Sequence, residues 1–114
     1  MNCPRAPRPW VWSALALALG GGPAWSTDAD DPLALGRMLF TQGATPPCAV
    51  CHTLKDAGST GQVGPVLDEI RPDAGRVAQA VREGLGAMPP YRTTLTPAQI
   101  QALAHYVAEA SRRP

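Results

Sequence analysis

Lysine is almost missing from this chain: Lys55 stands alone among ten basic residues, and the rest are arginines. No Lys/Arg-rich run exists and the formal net charge is +1, so no basic tract of the kind that grips nucleic acid is present. Aromatic residues make up only 5% of the chain, histidine occurs twice and cysteine three times. No segment keeps the apolar/polar alternation of a strand, and no internal repeat is visible, which argues against a sandwich, barrel or solenoid. The longest apolar run, Trp10 to Leu19, is shorter than the roughly 20 residues that cross a bilayer. With 114 residues, 45% of them hydrophobic and 17% charged, what remains is one small water-soluble domain.

The first stretch reads as a targeting segment. Arg5 and Arg8 precede the apolar run, Gly20-Gly21-Gly22-Pro23 breaks it, and Ala24-Trp25-Ser26 sets small residues three apart. This is the order of a secretory signal, with cleavage expected after Ser26; an uncleaved membrane anchor is the rival reading. Cys3 lies before the apolar run, where it cannot serve as a lipoprotein cysteine, and it leaves with the signal. The expected organisation is therefore a signal over 1–26 and one domain over 27–114, exported to the periplasm. Loss of two of the ten basic residues and none of the nine acidic ones gives the mature domain a formal charge of −1. It keeps Cys48 and Cys51, and its aromatic side chains are Phe40, Tyr91 and Tyr106. A domain this small has a limited core of its own and often depends on a metal, disulfide or cofactor.

Helical signals organise the mature domain. Asp31-Pro32 is an N-cap followed by proline at the first helical position, and the helix runs to about Gln42 before Gly43. Leu35 or Gly36, with Leu39 and Phe40, form its inner face. Pro46-Pro47 breaks the chain, and Cys48 to Thr53 fits a single helical turn. Leu54 to Pro72 has no sustained period. A second long helix begins at Asp73 and runs to Glu83, with Val77, Ala80, Val81 and Leu85 on one stripe. The last helix opens on Thr96, Pro97 and Gln99, a capping box, and carries Ile100, Leu103, Ala104 and Val107 at i, i+3, i+4 and i+7. The expected fold is all-α.

Cys48-Ala49-Val50-Cys51-His52 carries the chemistry. Two cysteines on one helical turn can add across the two vinyl groups of haem, and the adjoining His52 then offers its imidazole to the iron. A thioredoxin-like pair would need βαβ elements, a zinc site would need more ligands than His105 supplies, and a disulfide would close only a tiny loop. For a second iron ligand, Met38 lies within the first helix, where packing or a surface position is the default. Met88 lies in a loop between Gly86 and Pro89-Pro90, stiffened by prolines that fix φ and remove donors. A stiff loop presenting one thioether suits a distal iron ligand. His105 falls off the apolar stripe of the last helix and reads as a solvent-facing or packing residue.

These residues resemble the class I (monohaem) cytochrome c family over nearly all of the mature domain. Beyond the Cys-x-x-Cys-His turn, Gly36 and Phe40 match its first helix, and Leu103 and Tyr106 match its last. The resemblance implies that these N- and C-terminal helices cross, with loops wrapped around one covalent haem c. It also implies that the Pro65 carbonyl accepts a hydrogen bond from His52 Nδ1–H, and that Leu67 packs on the haem. Gly86-Ala87-Met88-Pro89-Pro90-Tyr91 is like the methionine loop of short bacterial members. The ring of lysines through which mitochondrial-type members meet oxidases is missing, so partner identity does not carry over.

The implied function is electron carriage rather than catalysis. Iron would be held by His52 and Met88, with haem c attached through Cys48 and Cys51. The partners would be redox proteins: a periplasmic dehydrogenase as donor, and a cytochrome or oxidase as acceptor. The pattern looks similar to small cytochromes that accept electrons from such dehydrogenases, some of them sulfite-oxidising. A monomer forming transient complexes is expected. The alternatives are a subunit held permanently in a redox enzyme complex, and an open-site haem enzyme or sensor.

Overall fold

The computed structural model describes residues 31–114, together with positions 7 and 20–22. Apart from those isolated positions, the expected signal over 1–26 and the leader that follows it lie outside the described residues. The architecture is mostly helical, with three longer helices and two single turns.

Helix α1, Pro32–Met38, starts where Asp31 Oδ1 accepts the Leu33 N–H at 2.9 Å. It continues into a wider turn, Leu39–Gly43, closed by the Ala44 N–H on the Leu39 carbonyl five residues back, at 3.0 Å. The expected helical stretch to Gln42 is present, but its final turn is widened. Leu39 and Phe40 are both buried there.

Helix α2, Cys48–Cys51, is shorter than the turn to Thr53 expected from sequence. His52 is already extended, with φ −111° and ψ 140°. The Cys51 carbonyl accepts the Gly64 N–H at 2.7 Å, and Thr53 pairs with Thr60. Those two attachments draw the chain out of the helix. Strands β1, Thr53–Leu54, and β2, Ser59–Thr60, form a minimal antiparallel pair that the all-α expectation did not contain. Two residues per strand are too few to leave an alternation in the sequence.

The single turn α3, Leu67–Ile70, leads to α4, Ala74–Glu83, whose cap Asp73 accepts the Arg76 N–H at 2.9 Å. Leu85, expected on the apolar stripe of α4, is instead 75% exposed. Gly84 ends the helix with φ 76° and turns Leu85 away from that face. Helix α5, Pro97–Ala110, carries the expected reciprocal cap between Thr96 and Gln99.

The expected stripe on α5 is buried, and a second row, Ala102, Tyr106 and Ala110, is buried beside it. In this second row Ala102 and Tyr106 pack on α1. A Cβ placed on Gly36 would collide with the Ala102 carbonyl oxygen and Tyr106 Cβ, so the missing side chain is what lets α1 and α5 cross so closely. Phe40 and Tyr106 meet edge to face beside the crossing, with ring centroids 6.2 Å apart at 63°. The other row of α5 faces α4 and the interior. Among the described residues, no helix is long and apolar enough to cross a membrane.

Polar contacts secure the periphery. Tyr106 Oη donates to Asp56 Oδ2 at 2.7 Å, and Arg113 Nη1 pairs with Asp56 Oδ1 at 2.8 Å. Arg112 donates to the carbonyls of Pro72 and Arg71 at 3.1 and 3.0 Å. The end of α5 is thereby fastened to the chain on both sides of α3.

Candidate haem-binding site

Between the helices lies a cavity of about 510 Å³. Phe40, Leu67, Val77, Val81, Leu103 and Val107 form much of its wall. This volume is within the roughly 300–1,000 Å³ typical of cofactor and ligand sites. Cys48, Cys51, His52 and Met88 all open onto the same cavity, although they come from two segments of chain 36 residues apart between His52 and Met88. Pro65 and Leu67 line it too. Every residue expected at the site is brought to one place.

His52 is held by the neighbouring cavity wall. Its Nδ1 lies 2.8 Å from the Pro65 carbonyl oxygen. A carbonyl oxygen only accepts, so Nδ1 is the donor in this bond and Nε2 is the ring nitrogen left to face a metal. The bond fixes the tautomer and ring orientation, as second-sphere partners of metal-binding histidines do. Gly64 makes room for the ring. A Cβ there would sit 2.8 Å from Nδ1 and 2.9 Å from Nε2. Gly61 is similarly confined, its would-be Cβ lying 2.6 Å from the Cys51 carbonyl carbon and 2.7 Å from the His52 nitrogen. The chain over 61–65 thus wraps the attachment turn at backbone contact distance.

Met88 is positioned by backbone. The N–H and C=O of Leu85 and Met88 exchange two hydrogen bonds of 3.0 Å, closing a tight turn. Gly86 takes φ 58° inside that turn, the left-handed region open to glycine. At Gly84 the same freedom is needed, and a Cβ would also press on the Met88 carbonyl at 2.8 Å. Beyond Pro89-Pro90, the Tyr91 N–H donates to the Val81 carbonyl at 2.8 Å.

One tether at the site was not anticipated. Tyr91, only 4% exposed, donates its hydroxyl to the Pro46 carbonyl at 2.7 Å and so joins the methionine loop to the segment before Cys48. Burial pushes its phenol up to about 12, which keeps it a donor at all ordinary pH. A tyrosine closing a Met-Pro-Pro run was the available signal; its partner, a backbone carbonyl 45 residues away, leaves no mark in sequence.

Cys48 is buried and Cys51 half-buried on the cavity wall, and no disulfide joins them. Among the described residues, no cluster of three or more His, Cys, Asp or Glu could hold a metal ion on its own. His105 is away from the cavity, half exposed and 3.4 Å from Glu109 Oε1. Met38 is 41% exposed and does not line the cavity. An apolar chamber floored by Cys-x-x-Cys-His, with an oriented imidazole and one thioether, fits a covalent haem.

Fold and chamber together define a c-type cytochrome. The sequence profile of the family described as cytochrome c oxidase, cbb3-type, subunit III matches residues 31–107, and the chain belongs to that family of haem c proteins. Among solved structures, the chain is similar to the c-type cytochrome SorU from Sinorhizobium meliloti. The two are 51% identical, with a TM-score of 0.69, over 71% of this chain and 92% of SorU. A search of curated proteins finds no match. The monohaem class I fold and the covalent haem c expected from sequence are borne out by these likenesses.

Proposed function

We propose that this cytochrome is a periplasmic one-electron carrier whose iron is held between His52 and Met88. The observation that carries the reading is the single cavity onto which Cys48, Cys51, His52 and Met88 all open. Haem bound there supplies a one-electron ferric/ferrous couple. Cys48 and Cys51 would hold the group through thioethers in both redox states. The Pro65 carbonyl, by accepting a hydrogen bond from His52 Nδ1–H, makes the imidazole a stronger donor to a metal and keeps its plane fixed. Met88 would offer the iron a soft thioether ligand, which would favour the ferrous state and exclude oxygen and small substrates. The two hydrogen bonds closing the Leu85–Met88 turn and the Tyr91–Pro46 tether limit movement of that ligand between redox states.

The donor in this reading is a periplasmic dehydrogenase, with sulfite-oxidising enzymes foremost, and the acceptor is a cytochrome or oxidase. Val63 and Leu85, both exposed and both lining the cavity, offer apolar surface at its edge suited to brief redox encounters. The optical spectrum tests the ligation. A low-spin spectrum with a sulfur–iron charge-transfer band in the ferric protein is expected. High-spin haem, or rapid carbon monoxide binding by the reduced protein, would overturn it.

The family description, an oxidase subunit, favours a second reading in which the chain sits permanently in a larger redox complex. Gel filtration of native extract separates the two. Haem at the mass of the small domain supports the free carrier, and haem only at high mass supports the subunit.

A further inference from the structure

Resting on the haem reading above, we infer that Arg76 is a binding residue for the carboxylates of the haem. Among the side chains lining the cavity, Arg76 is the only one of Lys, Arg, Asp or Glu. Haem carries two propionate carboxylates, on the edge of the ring across from its two vinyl groups. Attachment of the vinyl carbons to Cys48 and Cys51 would commit one edge to α2, so the carboxylates would take their partner from another element. Arg76 reaches the cavity from a different element, the first turn of α4, just beyond Pro72.

The other polar groups on the wall are already committed. His52 Nδ1 is bound to Pro65, and the Tyr91 hydroxyl to Pro46. Arg76 is not. Among the described residues, the ion pairs are His105 with Glu109 and Arg113 with Asp56, and the Arg76 guanidinium has no carboxylate on it. Asp73, the nearest acid in sequence, uses its carboxylate to accept the backbone N–H of Arg76. A carboxylate beside an apolar chamber needs a partner, and the planar fork of arginine fits it with two parallel hydrogen bonds.

The consequence for electron transfer is electrostatic. A fixed cation on the carboxylate edge offsets negative charge near the iron and so favours the ferrous form. Replacing Arg76 by glutamine should lower the equilibrium constant for reduction, against a reference couple, by about three- to tenfold at low salt.

The experiment compares midpoint potentials of wild type, Arg76→Gln, Arg76→Lys and Arg82→Gln, each confirmed to carry haem by its Soret band. Arg82 lies on the same helix and is exposed like Arg76, but it does not line the cavity, so it controls for net charge. A fall in Arg76→Gln, largely restored in Arg76→Lys and absent in Arg82→Gln, is expected. Haem retained by Arg76→Lys but lost from Arg76→Gln would equally support the assignment. Equal falls in Arg76→Gln and Arg82→Gln, an unchanged Arg76→Gln, or loss of haem from both Arg76 variants would overturn it. A colourless wild type would instead sink the haem reading itself.

Discussion

Adding one methyl group at the crossing of α1 and α5 should destabilise the protein, although the same change helps most helices. Gly36→Ala gains about 1 kcal/mol in helix propensity, because alanine loses less backbone entropy than glycine. Against this, the new Cβ would overlap the Ala102 carbonyl oxygen and Tyr106 Cβ. Neither obstacle is the free end of a flexible side chain, so the helices have to part. Overpacking of this kind costs about 1–3 kcal/mol, and separation would also loosen the Phe40–Tyr106 contact, worth about 0.5–1.5 kcal/mol. The steric loss exceeds the propensity gain, leaving a net destabilisation of about 1–3 kcal/mol. At roughly 4–8 °C per kcal/mol for a domain of this size, Tm should fall by about 5–20 °C. Gly75→Ala is the matched control. Gly75 lies in α4 on the surface, and its Cβ would meet only Asp73 Oδ1, at 3.2 Å. Thermal unfolding of both haem-loaded variants, followed by far-ultraviolet circular dichroism, should show Gly36→Ala well below wild type and Gly75→Ala at or slightly above it. A Gly36→Ala protein as stable as wild type would refute the reasoning about close helix approach.

Met88→Ala should open the iron to carbon monoxide and lower the midpoint potential; an unchanged spectrum would move the ligand elsewhere. Cys48→Ala combined with Cys51→Ala should give little haem protein and a largely unfolded chain by circular dichroism, and recovery of a well-folded haem-free monomer would show that the cofactor is not needed as core. Gly64→Ala should reduce the yield of haem protein several-fold, because its Cβ would press within van der Waals radii of the His52 ring; normal yield and potential would contradict the wedge. Asp56 is held below the ordinary carboxylate range chiefly by the Tyr106 hydroxyl, with Arg113 adding to it against some desolvation. A lowered folded value means stability that is present above the unfolded pKa of about 4 and lost as pH falls through the folded one. The stability gap between wild type and Asp56→Asn, measured by denaturant titration, should therefore narrow below pH 4, whereas a gap independent of pH would rule out this role.

Local rules made the helix starts legible: Asp31-Pro32, Asp73 and the Thr96/Gln99 box each satisfy orphan N–H groups with their own side chains, so the signal lies within a few residues. Cys48, Cys51 and His52 were readable for the same reason, being adjacent on one turn. Met88 was legible by its surroundings, a thioether between glycine and two prolines. The Gly36 crossing and the Pro65 carbonyl came only through family resemblance, since no rule of spacing links Gly36 to Tyr106 or His52 to Pro65. The Thr53–Thr60 pairing, the Tyr91–Pro46 tether and the Asp56–Tyr106–Arg113 cluster were not legible. Each joins residues whose partner is set by the folded chain, and two-residue strands are below the length at which periodicity shows. Leu85 misled because an apolar residue eight positions along a helix continues its stripe only while the helix continues, and Gly84 ends it.

Intact-mass spectrometry of the purified protein under denaturing conditions tests the central claim most directly. A chain carrying the mass of one haem that survives unfolding, and that disappears when Cys48 and Cys51 are replaced by alanine, is the predicted result. An unmodified chain, or haem released on unfolding, would contradict the account.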